Sequence, residues 1–192
     1  MNSIADKKNR IRKSLLERRN RLSATEVYEK SQVIQLHVLN SSQFLDSSTV
    51  GVYFPTGTEV RTEEIIQKAI QTGKKVALPR IELEDMNFYQ LYDKSFQEND
   101  LVVGKFGVKE PSNIGNQITK LDLLIVPGIV FDYKGHRIGY GRGYFDRYIM
   151  KAKVSFSLGL GYKFQLLSYC LPQLPLDQRI DGLSIETGVL KF

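Results

Sequence analysis

A glycine-rich segment in the second half of the chain carries residue types suited to binding phosphate. Residues 137–146 read Arg-Ile-Gly-Tyr-Gly-Arg-Gly-Tyr-Phe-Asp and follow an apolar, strand-like run. Glycines at alternate positions let backbone N–H groups approach phosphate oxygens, and Arg137 and Arg142 add positive charge. The segment matches neither the Walker A nor the Rossmann glycine pattern, and a structural turn is the alternative. The two arginines, and the Asp that opens the next predicted helix, favour a phosphate-binding loop.

Carboxylates near this loop could hold the Mg²⁺ that accompanies a nucleotide phosphate chain. Mg²⁺ takes oxygen ligands and keeps several waters, so one or two carboxylates suffice. Asp146 is the first candidate because it follows the glycines directly. For a second ligand, spacing does not choose between Asp181, in Arg-Ile-Asp-Gly-Leu, and Asp177.

A further carboxylate, Glu59, follows a predicted strand and a Pro-Thr-Gly turn. Open α/β sheets bind ligands at the carboxyl ends of their strands. Glu63 and Glu64 instead suit the first turn of a helix, where acidic side chains complement the helix dipole. We therefore expect Glu59 to contact a ligand.

The positive charge of the chain is concentrated at its N-terminus. The chain has 27 Lys and Arg against 21 Asp and Glu, a net charge of +6. Residues 1–21 hold eight of the basic and two of the acidic residues, so the remainder is neutral. A basic segment of this kind indicates an anionic partner, which could be a phosphorylated or polycarboxylate small molecule, nucleic acid or a membrane surface.

The basic segment also predicts an amphipathic helix. Its apolar residues fall in one narrow arc at about 100° per residue: Ile4, Ile11, Leu15 and Leu22. Lys8 and Arg12 flank that arc, so we expect them beside the surface on which the helix docks. Arg10 and Lys13 are expected to point towards water.

Strand and helix patterns alternate along the rest of the chain. The predicted strands are 49–54, 75–78, 86–92, 123–126, 155–160 and one or two within 180–191. A capping box at Ser23 predicts a second helix, Thr62 and Gly73 bound a third, and 143–150 begin another. Residues 99–117 are predicted as a loop. This alternation predicts an α/β fold, a single domain over 1–192 with a mainly parallel central sheet flanked by helices.

Several side chains and the setting of the protein can also be predicted. The second helix is expected to carry apolar residues at four positions: Val27, Val33, Ile34 and Leu36. The lone Cys170 cannot form an internal disulfide and is predicted to be a buried apolar residue.

No run approaches the roughly 18–20 apolar residues that cross a bilayer, and the basic N-terminus lacks a signal-peptide core. We expect a cytoplasmic protein.

At these residues the chain resembles the 5-formyltetrahydrofolate cyclo-ligase family, also called methenyltetrahydrofolate synthetases. The resemblance extends over nearly the whole chain, and the glycine loop together with the preceding strand 126–132 is its most specific part. It implies ATP- and Mg²⁺-dependent cyclisation of 5-formyltetrahydrofolate to 5,10-methenyltetrahydrofolate, with release of ADP and phosphate. The implied route phosphorylates the formyl oxygen, after which N10 attacks the activated carbon and phosphate leaves.

The resemblance also implies roles for individual residues. The residues that it places on ATP are Lys8, Asn9, Arg10, Ile11, Arg12, Arg137, Ile138, Gly139, Tyr140, Gly141, Arg142, Gly143, Tyr144 and Phe145. Those that it places on the folate are Phe54, Glu59, Tyr140, Gly141, Arg142, Gly143 and Tyr144. Arg142 and Tyr144 are implied as catalytic, and Asp146 and Asp181 as the Mg²⁺ ligands. Phe145 stands where a second Tyr is frequent in the family.

The expected partners are therefore small molecules: ATP and 5-formyltetrahydrofolate, including polyglutamylated forms whose carboxylates suit a cationic surface. We expect a monomer that binds neither nucleic acid nor a membrane. Two alternatives stay open. One is a folate- or nucleotide-binding protein of the same fold without this activity. The other is an RNA-binding module that uses the basic helix.

Overall fold

A computed structural model of the chain describes residues 3–91, 101–105, 109–111 and 115–192. The helices are α1 (Ile4–Asn20), α2 (Ala24–Leu39), α3 (Ser42–Leu45), α4 (Glu63–Gln71) and α5 (Tyr144–Lys151). The first strands are β1 (Thr49–Gly51), β2 (Lys75–Glu82), β3 (Asp85–Gln90), β4 (Leu101–Val103), β5 (Lys109–Pro111) and β6 (Gln117–Ile118). The later strands are β7 (Lys120–Pro127), β8 (Val130–Asp132), β9 (Arg137–Ile138), β10 (Lys153–Leu160), β11 (Leu166–Leu167), β12 (Gly182–Ile185) and β13 (Gly188–Lys191).

The main sheet has the strand order β13-β12-β10-β7-β1-β2-β3-β6. Its centre, from β12 to β2, is parallel throughout. Strands β13, β3 and β6 add antiparallel edges. Two small sheets, β11-β8-β9 and β4-β5, accompany it. The predicted α/β fold with a mainly parallel sheet is confirmed.

Helices cover both faces of the parallel centre. Along β7, Leu123 and Ile125 join the apolar cluster that contains the buried side chains of α2 and α4. Leu124 and Val126 point the other way, into the cluster that contains Tyr148 of α5. Burial on both faces explains why this strand reads as a continuous apolar run.

Helix α1 lies against the small β11-β8-β9 sheet. Its Ile11, Leu15 and Leu16 pack on a buried cluster that includes Val130 of β8 and Ile138 of β9. The apolar face of α1 was predicted correctly at Ile11 and Leu15 but not at its two ends. Ile4 is 43% exposed, and Leu22 lies beyond the last residue of the helix.

Three strand predictions need correction. Strand β1 ends at Gly51; the Val52 N–H still donates to the Ala77 carbonyl at 3.0 Å, and residues 53–54 are buried outside the strand. Strand β2 continues through Pro79 to Glu82, because it forms an antiparallel hairpin with β3. The predicted 99–117 loop contains β4, β5 and the start of β6. Residues 92, 99–100, 106–108 and 112–114 of these predictions lie outside the described part of the chain.

Two of the four apolar residues singled out on α2 are exposed. Val33 and Leu36 are 41% and 55% exposed, whereas the polar Ser31 and Gln35 are buried. Ser31 Oγ accepts a hydrogen bond from the N–H of residue 61 at 3.0 Å. Gln35 Oε1 accepts another from the N–H of residue 64 at 3.0 Å. Ser31 and Gln35 are buried because they accept hydrogen bonds from backbone N–H groups at the start of α4.

Cys170 is exposed, contrary to the prediction. The neighbouring Leu171 takes the buried position, and its N–H donates to Asp132 Oδ2 at 2.8 Å. Within the described residues, no helix is long and apolar enough to cross a membrane.

Candidate active site

The two loops singled out in the sequence follow neighbouring strands in the middle of the sheet. Strand β1 lies between β2 and β7, and the chain leaves β1 towards β2 but leaves β7 towards β10. Ligands of open α/β sheets bind at such a reversal, outside the carboxyl ends of the strands. The loop 52–62 follows β1, and the segment 128–143 follows β7. The topology therefore places both loops at the edge where a ligand site is expected.

The glycine loop has a backbone that only glycine adopts readily. Gly141 has φ +97° and Gly143 has φ +68°. A Cβ at Gly141 would also lie 3.2 Å from Nη2 of Arg12. The same Arg12 donates from Nε to the Gly139 carbonyl at 2.7 Å and from Nη1 to Asn9. The Arg12 side chain therefore lies against the backbone of the glycine loop and connects helix α1 to it.

Helix α5 begins directly after Gly143, which has no side chain to cap it. The first N–H groups of a helix lack partners within the helix and carry its positive dipole end. Together with the nearby arginines, they make the end of the glycine loop suited to an anion.

A buried arginine connects the glycine loop with the C-terminal segment. Arg137 is 7% exposed, and its Nη1 donates to Asp146 Oδ1 at 3.1 Å and to the Gln178 carbonyl at 3.0 Å. The Gln178 N–H donates to the same Asp146 oxygen at 2.9 Å. Burial lowers the pKa of Arg137, while the carboxylates of Asp146 and Asp177 act to raise it. This arginine therefore sets the position of Asp146 and of the segment after residue 174.

The structure separates the two aspartates that spacing alone left open. Asp177 Oδ2 accepts from Lys8 Nζ at 2.5 Å, and Asp177 also acts electrostatically on Arg137. Asp181 Oδ2 instead accepts from the N–H and Oγ of Ser157 on β10, at 2.7 and 2.6 Å. Asp177 thus belongs to the charged cluster around Asp146, and Asp181 is bonded to the sheet. In the described part of the chain, no three Asp, Glu, His or Cys side chains form a metal cluster.

Glu59 is buried in the loop after β1, at 7% exposure. Its Oε2 accepts from the Thr56 N–H at 2.9 Å, and the Tyr53 hydroxyl fixes the same loop through the Val60 carbonyl at 2.8 Å. Burial raises the pKa of Glu59, whereas the charge of Arg19, the Thr56 N–H and the Tyr140 hydroxyl act to lower it.

Arg19 is a site residue that sequence reasoning missed. Its side chain is buried at 3% exposure, and Nη2 donates to the Tyr140 hydroxyl at 2.5 Å. A sequence signal was available, because Arg19 lies four residues after Leu15, on the docked face of α1. A basic residue on the buried face of a helix needs a partner, and here the partners are in the active-site loops.

The structure also locates the remaining residues of the predicted site. Phe54 is buried, with the Lys109 ammonium 5.3 Å from its ring centre. Tyr144 lies under the Arg147 guanidinium at 5.1 Å. Phe145 packs into the core, edge-on to a core phenylalanine at 6.3 Å. The side chains of Ile11 and Ile138 are in the apolar cluster under α1, and those of Asn9, Arg10 and Arg142 are exposed.

This combination defines an α/β protein with a candidate ligand site at the switch point of its sheet, where cations from α1 meet a glycine loop and a buried carboxylate. Comparisons with known proteins identify it further. The profile of the 5-formyltetrahydrofolate cyclo-ligase family matches residues 4–186, and the chain belongs to that family. It is accordingly an enzyme of the ligase class.

Individual relatives agree with this assignment. A probable 5-formyltetrahydrofolate cyclo-ligase of Schizosaccharomyces pombe is 34% identical over 149 residues, covering 69% of this chain and 72% of the relative. The 5-formyltetrahydrofolate cyclo-ligase of Haemophilus influenzae is 29% identical over 83% of this chain and 87% of its own. The NMR structure of Aquifex aeolicus 5,10-methenyltetrahydrofolate synthetase superposes with a TM-score of 0.83, at 29% identity, over 96% of this chain and 92% of that one.

Proposed function

We propose that this chain catalyses the ATP- and Mg²⁺-dependent cyclisation of 5-formyltetrahydrofolate to 5,10-methenyltetrahydrofolate, with release of ADP and phosphate. Relatives over most of the chain carry the name of this activity. The observation that carries the proposal is the meeting of an anion-binding loop and a buried carboxylate at one sheet edge. Arg12 contacts the loop at Gly139, and Arg19 reaches the Glu59 region through Tyr140.

The nucleotide phosphates are proposed to bind the glycine loop and the first turn of α5. Lys8, Arg12 and Arg137 each contact a residue of the loop or of the segment packed on it. Transfer of a phosphoryl group to an amide-like oxygen depends on positioning and charge neutralisation more than on a protein nucleophile. This arrangement of cations and backbone N–H groups supplies both. Arg142 and Tyr144, within the same loop, are proposed to contact the transferring group.

The proposed Mg²⁺ ligands are Asp146 and Asp177. Carboxylate oxygens suit this ion, both side chains are partly exposed, at 23% and 21%, and both charges act on Arg137. When bound, the ion neutralises charge on the phosphate oxygens during transfer. Each alternative already accepts two hydrogen bonds at Oδ2: Asp181, which the family resemblance implies, from Ser157, and Asp177 from Lys8 Nζ and the Leu174 N–H. We place Asp177 ahead of Asp181 because its charge, like that of Asp146, acts on Arg137.

The folate is proposed to bind beside Glu59 and Phe54. An ionised Glu59 accepts hydrogen bonds from N–H groups of the reduced pterin, and the Phe54 ring contacts its apolar face. In the proposed reaction the formyl oxygen bonds to the γ-phosphorus as the bond to ADP breaks. N10 then attacks the formyl carbon and loses its proton, and phosphate leaves with the former formyl oxygen. Both steps need the two substrates held in contact, which adjacent loops provide.

The test is the growth of methenyl-product absorbance when protein, Mg·ATP and 5-formyltetrahydrofolate are mixed. We expect product only when all three are present, with one ADP released per turnover. Replacing ATP by ADP, or chelating the metal, should stop it. A folded wild-type protein that forms no product under these conditions would refute the proposal.

The proposal extends to the domain organisation, oligomeric state, location and substrates of the protein. We propose one domain over residues 1–192, a monomer, a cytoplasmic location, and substrates that include polyglutamylated folates. Burial of Lys8 and Arg19, and the contact of Arg12 with the loop, direct three of the N-terminal cations towards the active site. This supports a small-molecule partner over RNA. A salt-dependent shift of labelled RNA at physiological ionic strength would reverse that preference.

A further inference from the structure

The guanidinium of Arg19 is buried among groups from three separate parts of the chain. The groups that it acts on are Tyr53 and Glu59 in the loop after β1, Tyr140 in the glycine loop, and Tyr162 after β10. Among the described residues, its Nε is the one buried side-chain nitrogen or oxygen without a hydrogen-bond partner. Leaving such a donor unpaired destabilises the folded chain. The side chain therefore occupies a position that folding alone does not favour.

Tyr140 connects Arg19 to Glu59. Arg19 Nη2 donates to the Tyr140 hydroxyl oxygen at 2.5 Å, and the guanidinium lies 5.7 Å from the centre of the same ring. The Tyr140 hydroxyl also acts on the Glu59 carboxylate to favour its ionised form. Thr58, next to Glu59, donates from Oγ1 to Oδ1 of Asn20, next to Arg19, at 3.0 Å. Desolvation and the Glu59 charge raise the pKa of Tyr140 to about 12, so the hydroxyl keeps its proton at neutral pH.

Of the groups that act on Glu59, Arg19 is the one whose positive charge favours ionisation of the carboxylate. Burial opposes ionisation of this carboxylate, and the Thr56 N–H and Tyr140 hydroxyl that favour it are uncharged. Tyr53 and Tyr162 also lie near, as neutral hydroxyls at physiological pH. Arg19 is thus the cation that acts on the buried carboxylate. Its charge acts in a poorly solvated site, where it is screened little.

We propose that Arg19 is a positioning residue of the folate site, which holds Glu59 ionised and fixes the Tyr140 hydroxyl between the glycine loop and the carboxylate. This inference rests on the proposed function. An ionised Glu59 accepts hydrogen bonds only, as a reduced pterin requires, whereas the protonated acid would also present a donor. Through this connection, α1 takes part in organising both substrate loops.

The direct test is a titration of Glu59 by NMR with ¹³C-labelled Glu carboxyls, assigned from the signal lost in Glu59→Gln. Arg19→Met should raise the Glu59 pKa by about 1 pH unit or more, since an opposite charge nearby moves a carboxylate by about 1–3. Arg19→Lys keeps the charge and should give a smaller change. Arg21→Met removes an exposed cation two residues away and should leave the titration unchanged.

Turnover gives a second readout that a purely structural role would not move. In Arg19→Met, the acidic limb of kcat/KM for 5-formyltetrahydrofolate should shift to higher pH, because Glu59 becomes protonated earlier as pH falls. The KM for ATP should change less than twofold. The limb should disappear in Glu59→Gln, with or without Arg19→Met, and Arg19→Lys should restore much of the wild-type profile.

An unchanged Glu59 titration in folded Arg19→Met would overturn the inference. Should Arg19→Met not fold, Tyr140→Phe removes only the hydroxyl that joins the two groups. It must then raise the Glu59 pKa by itself, and no change there would equally overturn the inference. The titration needs no turnover, so it is decided separately from the proposed function. That function fails on its own if the wild type forms no methenyl product.

Discussion

Exchanging each aspartate of the C-terminal region for asparagine distinguishes a metal ligand from a structural carboxylate. Asp146→Asn and Asp177→Asn each keep the size of the side chain and remove an anion from the cluster around Arg137. Losing one anionic ligand from a phosphate-bound ion should cost a few kcal/mol in the barrier, so turnover should fall on the order of a hundredfold. Both variants should need more Mg²⁺ for half-maximal rate.

The structure predicts a different result for Asp181→Asn. Its carboxylate accepts two hydrogen bonds from Ser157, at 2.7 and 2.6 Å, so the loss is one of stability. Weakening two charge-assisted bonds should cost about 1–3 kcal/mol of the free energy of unfolding. The Mg²⁺ requirement should remain that of the wild type. Asp177→Asn should also lose some stability, because it leaves the buried Lys8 without its counter-charge.

The assay is a Mg²⁺ titration of turnover in the three variants, repeated with Mn²⁺, together with thermal unfolding of each. Partial recovery of Asp146→Asn and Asp177→Asn at high metal would support loss of a ligand rather than loss of fold. If Asp181→Asn shifts the Mg²⁺ curve and Asp177→Asn does not, the reasoning from the Lys8 and Ser157 contacts is refuted.

Three further outcomes are expected. Gly141→Val places a branched side chain at φ +97° and against Arg12, so calorimetry should show nucleotide affinity falling at least tenfold in a folded protein. Unchanged affinity would contradict the loop assignment. Glu59→Gln should raise the KM for folate about tenfold or more while ATP binding persists; a change confined to ATP would contradict its role. Although burial acts to raise the pKa of Asp132, hydrogen bonds from the Leu171 N–H and from His136 lower it. Its contribution to stability is therefore present above the ordinary Asp pKa of about 3.9 and lost as pH falls through the lower folded value. Denaturant unfolding of Asp132→Asn should depend less on pH below about 4 than that of the wild type.

Predictions were confirmed for elements whose structure depends only on residues within the element. The Ser23 capping box opens α2, since the Ser23 and Glu26 side chains bond each other's backbone N–H groups. The apolar run of β7 indicated burial on both faces, because no polar residue interrupts it. The end of β1 and the strands within 99–117 could not be predicted in the same way. They depend on pairing between strands: β1 with β2 and β7, β6 with β3, and β4 with β5.

Burial on the helices shows the same division. Val33 and Leu36 are apolar but exposed, while Gln35 is buried because the N–H of residue 64 needs an acceptor. Arg19 is charged but buried, because it donates to the Tyr140 hydroxyl and its charge acts on Glu59. The hydropathy of a helix does not predict this burial of polar and charged side chains, since the partner in each case belongs to another element.

The amino-acid sequence alone was enough to indicate the kind of chemistry that this protein performs. Alternating glycines, a cationic helix and three isolated carboxylates indicated an anion-binding α/β enzyme, and residue order was enough to suggest the family. The partner of each carboxylate is known only from the folded chain. Asp177 and Asp181 are four residues apart, yet one meets Lys8 and the other meets Ser157. The reason is that Arg137 binds the Gln178 carbonyl and so fixes the register of the tail, through a contact between residues 41 positions apart.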